Sequence, residues 1–290
     1  MRQLTIISGK GGTGKTTLAT NFVKLATEHI AVDCDVDASN LHIVFNPKVE
    51  KRVEFVGGAV ATVTGNCINC GKCEELCRFE AISDSETNIK ISSVKCEGCG
   101  VCQYVCPTSA IELKSSRQGE YFISSTEFCP LVHARLKPGA ENSGLLVTTV
   151  RNVAEDLAIH QHKKVIIIDG APGIGCPVIS SLTGVDYALI VTEPTVSGIS
   201  DFLRVFEVAK FLGIKTLVCI NKYDLNLENT SKISSICAEN EILLAGKIPY
   251  DERVPIYLSK RKFVVDDPES NAGKEILSVW DTLKYYLYKD

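Results

Sequence analysis

The chain has 290 residues, of which 45% are hydrophobic and 23% charged, as in an ordinary globular protein with a full core. A net charge of −4 excludes a broadly basic surface, so no nucleic-acid partner is expected. No run approaches the roughly 20 apolar residues that span a bilayer, and the N-terminus reads as part of the fold, so a cytoplasmic protein is expected. The thirteen cysteines are unusual, and their clustering favours metal in a reducing compartment over disulfides.

The first predicted elements are a short apolar strand over 3–8, a helix over 16–28 with one apolar face, and a strand over 30–33 that ends in acid. Strands of the same type are predicted at 164–169, 187–192 and 216–221, with a helix over 198–212. Strands that alternate with helices predict an α/β fold with a doubly wound, mostly parallel sheet.

The alternation breaks in a cysteine-rich stretch and resumes near Leu145. We interpret this stretch, 57–116, as an inserted α+β module, so that the larger domain is discontinuous over 1–56 and 117–290. The insert repeats internally, because Cys67–Ile82 resembles Cys96–Ile111. Two half-modules of about 29 residues are therefore predicted.

A glycine-rich segment between the first strand and helix matches G-x-x-x-x-G-K-T, the phosphate-binding P-loop of ATP-binding proteins. Glycines let successive backbone N–H groups turn toward phosphate oxygens at the positive end of the helix. Lys15 would reach the β- and γ-phosphates, and the Thr16 hydroxyl would bind Mg²⁺. The predicted nucleotide contacts of this segment are Gly11, Gly12, Thr13, Gly14, Lys15, Thr16 and Thr17.

With Lys10, the segment reads K-G-G-x-G-K-T and resembles the deviant P-loop of the MinD/ParA/Mrp/nitrogenase iron protein ATPases, over residues 1–56 and 145–255. That resemblance implies an ATP-dependent homodimer in which Lys10 reaches the partner's nucleotide. It also implies that Asp35 orients the attacking water, with Asp37 as a competitor, and that Asp169 bonds a Mg²⁺-bound water.

Two later segments extend the resemblance. Asn221-Lys222-Tyr223-Asp224 follows a predicted strand and resembles the adenine-recognition segment of these ATPases. Ile248-Pro249-Tyr250-Asp251 resembles the loop that closes over the base. Asn221, Pro249 and Asp251 are therefore expected to contact the nucleotide.

Eight cysteines follow the spacing of a bacterial two-cluster ferredoxin, which predicts two [4Fe–4S] clusters. Each run supplies three ligands to one cluster and the fourth to the other. Zinc in Cys₄ sites is the alternative. Arg78 departs from the pattern, since proline often stands there. The predicted ligands are Cys67, Cys70, Cys73 and Cys106 for the first cluster, and Cys96, Cys99, Cys102 and Cys77 for the second.

Of the other cysteines, Cys34, Cys219 and Cys237 are expected to be buried. Cys176 lies seven residues after Asp169, the offset at which the nitrogenase iron protein carries a cysteine that binds its subunit-bridging cluster. A bridging cluster held by Cys176, with Cys129 as a second ligand, is one hypothesis. Simple packing or thiol reactivity is the other.

The complete pattern resembles MinD-superfamily ATPases with an inserted ferredoxin domain. It implies slow, partner-stimulated ATP hydrolysis coupled to electron transfer or metallocofactor maturation with a protein partner. An iron–sulfur carrier or scaffold and a redox-sensing, MinD-like spatial organiser are the alternatives. The amphipathic C-terminal stretch has flanks too weakly basic for a stable membrane anchor.

Overall fold

The computed structural model describes residues 1–85, 88–138, 140 and 143–289. In chain order the elements are β1 (Arg2–Ser8), α1 (Lys15–Leu25), β2 (His29–Asp33), α2 (Leu41–Phe45), β3 (Lys48–Val63), α3 (Lys72–Glu75), β4 (Ile82–Ser85), β5 (Asn88–Ile91), α4 (Val101–Val105), β6 (Ile111–Ser125), β7 (Pro130–Leu136), α5 (Ser143–His160), β8 (Val165–Pro172), α6 (Cys176–Leu182), β9 (Tyr187–Thr192), α7 (Val196–Phe211), β10 (Lys215–Asn221), α8 (Leu227–Glu239), β11 (Leu243–Ile248), α9 (Arg253–Ser259) and α10 (Asn271–Leu287).

The main sheet has nine strands in the order β11-β10-β9-β1-β8-β2-β7-β6-β3. From β11 to β7 each neighbouring pair is parallel. The predicted mostly parallel α/β sheet is therefore confirmed. Because parallel strands end at the same edge, the loops after β1, β2, β8 and β10 meet there, where such sheets bind ligands.

Helices cover both faces of the sheet, as double winding requires. Leu4 and Ile6 of β1 pack into a core with α1 and α10, in which Phe22 stacks on Trp280 with ring centroids 5.4 Å apart. Ile7 points to the opposite face and packs with α6, α7 and α8. None of the described helices is long and apolar enough to cross a membrane.

The chain divides into two compact units. The first comprises Met1–Arg52, Tyr121–Arg135 and Gly144–Asp290, and the second comprises Val53–Glu120 and Leu136–Ser143. The segment that we predicted as an insert, 57–116, begins inside β3, a strand that the sequence did not indicate. β3 is the last strand of the sheet, and its charged, mostly exposed first half and the two glycines of its second half differ from the pattern of the buried strands.

The second unit repeats in its backbone as well as in its sequence. Short helices α3 and α4 each follow a left-handed glycine, Gly71 and Gly100. Positive φ angles also recur at the matched pairs Asn69 and Gly98, and Glu80 and Ser109. Its core contains Ala61, Ile82, Ile89 and Ile111 together with Cys73 and Cys102.

Candidate functional site

The turn between β1 and α1 forms the phosphate loop. Gly12 and Gly14 have positive φ angles of 82° and 96°, which let the backbone turn back before α1 begins at Lys15. The N-cap residue of this helix is Gly14, which has no side chain to cap the first N–H groups. Its first N–H groups are therefore available to an anion. Lys15 and Thr13 are buried in the same loop, and Gly11 is exposed on it.

The end of β10 holds this loop from the side. Asn221 donates a hydrogen bond from Nδ2 to the carbonyl of Thr13 at 2.8 Å. A Cβ atom on Gly14 would lie only 2.4 Å from that nitrogen. Gly14 therefore provides both the left-handed turn and the space that Asn221 occupies.

A cavity of about 240 Å³ opens beside the phosphate loop. Its walls combine the loop with the segments that follow β10 and β11. Among the predicted nucleotide contacts it is lined by Gly12, Gly14, Thr17, Asn221, Pro249 and Asp251. The rest of the lining is mostly apolar, with Leu18, Ile248, Val254 and Leu258 among its side chains, so the cavity suits a flat aromatic base.

The carboxylate of Asp251 is already engaged within the chain. It accepts hydrogen bonds from the Ser270 hydroxyl at 2.6 Å and from the Arg253 N–H at 2.9 Å. Ser270 caps the N-terminus of α10. Asp251 therefore shapes the wall of the cavity by tying it to α10.

The predicted Mg²⁺ side of the loop contains one hydrogen-bonded pair. Thr16 donates from Oγ1 to Oδ2 of Asp169 at 2.8 Å, whereas the buried Oδ1 of Asp169 has no partner. Burial raises the pKa of Asp169 to about 7, and the charge of Lys15 opposes that rise. An unpaired buried carboxylate oxygen is costly, so a water held by a cation fits this position.

Asp33, Asp35 and Asp37, at the end of β2 and just after it, differ in burial. Asp35 is half-buried, and burial raises its pKa while the charge of Lys15 opposes the rise. Asp37 is exposed. Asp33, which the sequence analysis did not single out, is fully buried, and its pKa is raised to about 6 by burial. Its position as the last residue of a buried strand is the signal that could have found it.

Lys10 turns toward the loop that precedes α7. Its Nζ lies 3.3 Å from the Ser197 hydroxyl, 3.4 Å from the Thr195 hydroxyl and 3.6 Å from Oε2 of Glu193. The other oxygen of Glu193 bonds Nζ of Lys222 at 2.5 Å. Lys10 is thus held by polar groups while its side chain stays partly exposed.

Two cavities in the second unit are each lined by four of the clustered cysteines. One is lined by Cys67, Cys70, Cys73 and Cys106, and the other by Cys77, Cys96, Cys99 and Cys102. Each set takes three cysteines from one run and the fourth from the other, the same grouping as the two ligand sets predicted from the sequence. Cys70 and Cys99 are exposed, whereas Cys73 and Cys102 are buried.

Backbone N–H groups point at several of these sulfurs. Ala81 donates to Sγ of Cys77 at 3.4 Å, and Ala110 donates to Sγ of Cys106 at 3.2 Å. These two contacts are equivalent in the internal repeat. All eight thiols are free of disulfides. Within the described residues, no three His, Cys, Asp or Glu side chains converge on a site for a single metal ion.

The cysteines outside the module have other surroundings. Cys129 is buried in the apolar core, where burial raises the pKa of its thiol to about 12. Cys34, Cys219 and Cys237 are buried too. Cys176 is exposed at the start of α6. A cluster shared by Cys176 and Cys129 stays a hypothesis.

Comparisons with known proteins agree with this geometry. The model of the CobQ/CobB/MinD/ParA nucleotide binding domain matches residues 4–264. An uncharacterized protein of Methanocaldococcus jannaschii is 34% identical, over 98% of this chain and 97% of its own length. An uncharacterized ATP-binding protein of the same organism is 25% identical, over 98% of this chain and 89% of its own.

Among solved structures, MinD from Pyrococcus horikoshii complexed with Mg-ADP has a TM-score of 0.60 and 19% identity. The match covers 98% of this chain and 96% of that protein. At this identity the likeness shows the shared fold.

Proposed function

Because the chain belongs to the CobQ/CobB/MinD/ParA nucleotide-binding domain family, we propose that it is a Mg²⁺-dependent ATPase with two [4Fe–4S] clusters. We propose further that its nucleotide state is coupled to electron transfer or metallocofactor maturation with a protein partner. One observation carries the proposal: a phosphate loop with a base cavity stands in the same chain as two cavities lined by four cysteines each.

The nucleotide-binding part of the proposal assigns a separate role to each of several residues around the phosphate loop. Lys15 and the N–H groups at the start of α1 bind the β- and γ-phosphates. Thr16 and Asp169 hold the cation and its water, which suits the unpartnered Oδ1 of Asp169. Asp35, near Lys15, orients the attacking water. Mg²⁺ supplies neutralisation of the charge that develops on the phosphates.

The cluster half rests on the two cysteine sets and their N–H···S contacts. In a four-iron cubane each thiolate binds a different iron, so four sulfurs stand around a cavity instead of converging on one point. The spacing supports cubanes over zinc: two C-x₂-C-x₂-C runs, each with a fourth cysteine after three further residues, fit four-iron clusters better than the C-x₂-C pairs of Cys₄ zinc sites. Each cluster supplies one-electron redox chemistry.

The proposed dimer rests on Lys10 and the segments beside it. The side chain of Lys10 is partly exposed, and its contacts to Thr195 and Ser197 are long. It can therefore leave them at little cost for the phosphates of a partner's nucleotide. Contacts to the γ-phosphate, lost on hydrolysis, would order or release the segments after β2 and β8 and thus change the docking face for a partner.

Iron analysis tests the cluster assignment directly. Protein purified without oxygen is expected to contain about eight iron and eight sulfide per chain, and reduction is expected to produce cubane EPR signals. Two zinc ions and no iron would overturn this part of the proposal and leave the nucleotide part intact.

Turnover of ATP tests the nucleotide site, and the reduction potential of the clusters tests the coupling. Asp169→Asn is expected to lower Mg²⁺-dependent ATP hydrolysis at least about a hundredfold, because the variant loses a charge at the metal. In the parent protein, a non-hydrolysable ATP analogue is expected to shift the cluster potential. Equal potentials with and without the analogue would contradict the coupling.

The exposure of Cys70 and Cys99 favours a second candidate, an iron–sulfur carrier that releases its clusters to an acceptor. Incubation with an apo-ferredoxin separates the two functions. Retention of all iron by this chain supports the electron-transfer function, and transfer of iron supports the carrier.

A further inference from the structure

Asp33 is a fully buried acid one strand away from the predicted Mg²⁺ site. Its Cα is paired with that of Asp169 in the parallel ladder of β2 and β8. The ladder continues past Asp33, because the Cys34 N–H donates to the Asp169 carbonyl at 2.8 Å. Asp33 therefore occupies a rigid position in the sheet, at the point where the chain leaves it for the segment that carries Asp35.

Both oxygens of Asp33 accept hydrogen bonds from that segment. Oδ1 accepts from the Asp35 N–H at 3.1 Å. Oδ2 accepts from the Ser39 hydroxyl at 2.7 Å and from two further N–H groups, of Asn40 at 3.0 Å and Leu41 at 2.9 Å. One carboxylate thus holds the beginning and the end of a single loop.

The second end of that loop is the N-terminus of α2. The residue before this helix is Asn40, and its side chain makes no capping hydrogen bond to the helix. The carboxylate of Asp33 takes the place of a capping residue from another strand, and its charge complements the positive end of the helix. The four donors, which are the Ser39 hydroxyl and the N–H groups of Asp35, Asn40 and Leu41, all bond to the fully buried carboxylate of Asp33.

We infer that Asp33 is a positioning residue for ATP hydrolysis: it clamps the loop 35–41 so that Asp35 faces the nucleotide. The inference rests on the proposed ATPase function. It assigns no contact between Asp33 and the substrate or the cation, since its oxygens are used within the chain.

Asp33→Asn is the sharpest variant. If the amide oxygen replaces Oδ2, the amide nitrogen faces the Asp35 N–H, so that two donors oppose each other at the start of the loop. Ser39→Ala removes the hydroxyl bond to Asp33 at the other end of the loop, together with the 3.3 Å contact to Nδ1 of His42, and Ser39→Thr retains the hydroxyl. Asp281→Asn is the control, because Asp281 is an exposed acid of α10 that lies outside the loop and does not line the base cavity.

Turnover and nucleotide affinity are measured together. Asp33→Asn is expected to lower kcat at least about tenfold, which is the effect of one lost charged hydrogen bond. The Kd for Mg·ADP is expected to stay within about threefold of the parent value, because the phosphate loop and the base cavity are unchanged. Ser39→Ala is expected to show a smaller loss of kcat, with recovery in Ser39→Thr. Asp281→Asn is expected to behave as the parent protein.

Hydrogen exchange supplies a readout independent of turnover. The amides of Asp35, Asn40 and Leu41 are expected to lose protection in Asp33→Asn, with the rest of the sheet unchanged. Parent-like exchange and kcat would overturn the inference. A rise in the Mg²⁺ requirement equal to that of Asp169→Asn would overturn it too, because Asp33 would then act at the cation. Absence of ATP hydrolysis in the parent protein would contradict the proposed function, whereas the exchange result would still report on the clamp.

Discussion

Gly14 meets two demands at one position in the phosphate loop. Its φ of 96° lies in the left-handed region, and the space where a Cβ would stand is taken by the amide of Asn221. A left-handed residue with a side chain costs about 1–2 kcal/mol. The clash with Asn221 adds to that cost and moves a wall of the base cavity.

Gly14→Ala is therefore expected to lower nucleotide affinity at least about tenfold and to destabilise the protein by roughly 2 kcal/mol. Titration with Mg·ADP and urea unfolding measure the two effects. Gly184→Ala is the matched control, because Gly184 has a φ of 77° and nothing within 4 Å of its Cβ position. Equal nucleotide affinity in the two variants would contradict the role assigned to Asn221.

His133 is a buried titratable group outside the nucleotide site. It stacks on Phe122 with centroids 4.9 Å apart and on His42 at 5.5 Å, and its Nε2 lies 3.2 Å from the Ser124 hydroxyl. Burial lowers its pKa to about 4 from an ordinary 6.5. The unfolded chain therefore binds more protons between pH 6.5 and pH 4, and the free energy of unfolding falls as the pH falls through that window.

We expect His133 to account for roughly 2 kcal/mol of lost stability between pH 7 and pH 5. Urea unfolding followed by the fluorescence of Trp280, the single tryptophan, measures it. His133→Phe should reduce the pH dependence, whereas His160→Gln, at an exposed position, should not. The same dependence in both variants would show that His133 titrates normally.

At the scale of elements, the two halves of the module are built alike but exchange one cysteine each. Cys77 and Cys106 each lie four residues after the third cysteine of their run, and the sulfur of each accepts an N–H from an alanine four residues further on. Each of the two lines the cavity that is lined by the first three cysteines of the other run. We therefore expect Cys77 to belong with Cys99, and Cys106 with Cys70.

Paired substitutions test this exchange. Cys77→Ser with Cys99→Ser is expected to retain about half of the iron, because both lie in one set, whereas Cys77→Ser with Cys70→Ser is expected to lose nearly all of it. Iron content and reduced EPR spectra measure the outcome. Cys237→Ala, at a buried position outside the module, serves as the control. The reverse result would mean that each run keeps its own fourth ligand.

The whole molecule consists of two units with separate cores. The core of the second unit is small and includes two buried cysteines, Cys73 and Cys102. A core of this size supplies little stability without metal. The first unit has extensive apolar cores on both faces of the sheet.

Chelation of iron is therefore expected to remove amide protection across 53–120 while the first unit keeps its protection and binds Mg·ADP within about threefold of the parent affinity. Hydrogen exchange and nucleotide titration measure the two responses. Cooperative loss of protection in both units would contradict independent cores.

Local spacing determined much of this protein in advance. The phosphate loop and the two cysteine runs are short segments. Within a few residues of chain, the spacing of the glycines or cysteines leaves few ways to arrange them in space. The buried strands were equally readable, because both of their faces are covered and their sequences are continuously apolar. Iron ligation and the dimer stay predictions.

Only the tertiary structure decided which acids are buried and which side chains are hydrogen-bonded across long stretches of the chain. Asp33, Asp35 and Asp37 are alike in sequence, and only the ladder of β2 with β8 buries the first and leaves the last in solvent. Asn221 reaches Thr13 across 208 residues of chain. Asp251, predicted to contact the nucleotide, was found bound to Ser270. Such partners are set by strand register and loop closure, which join residues that the sequence keeps far apart.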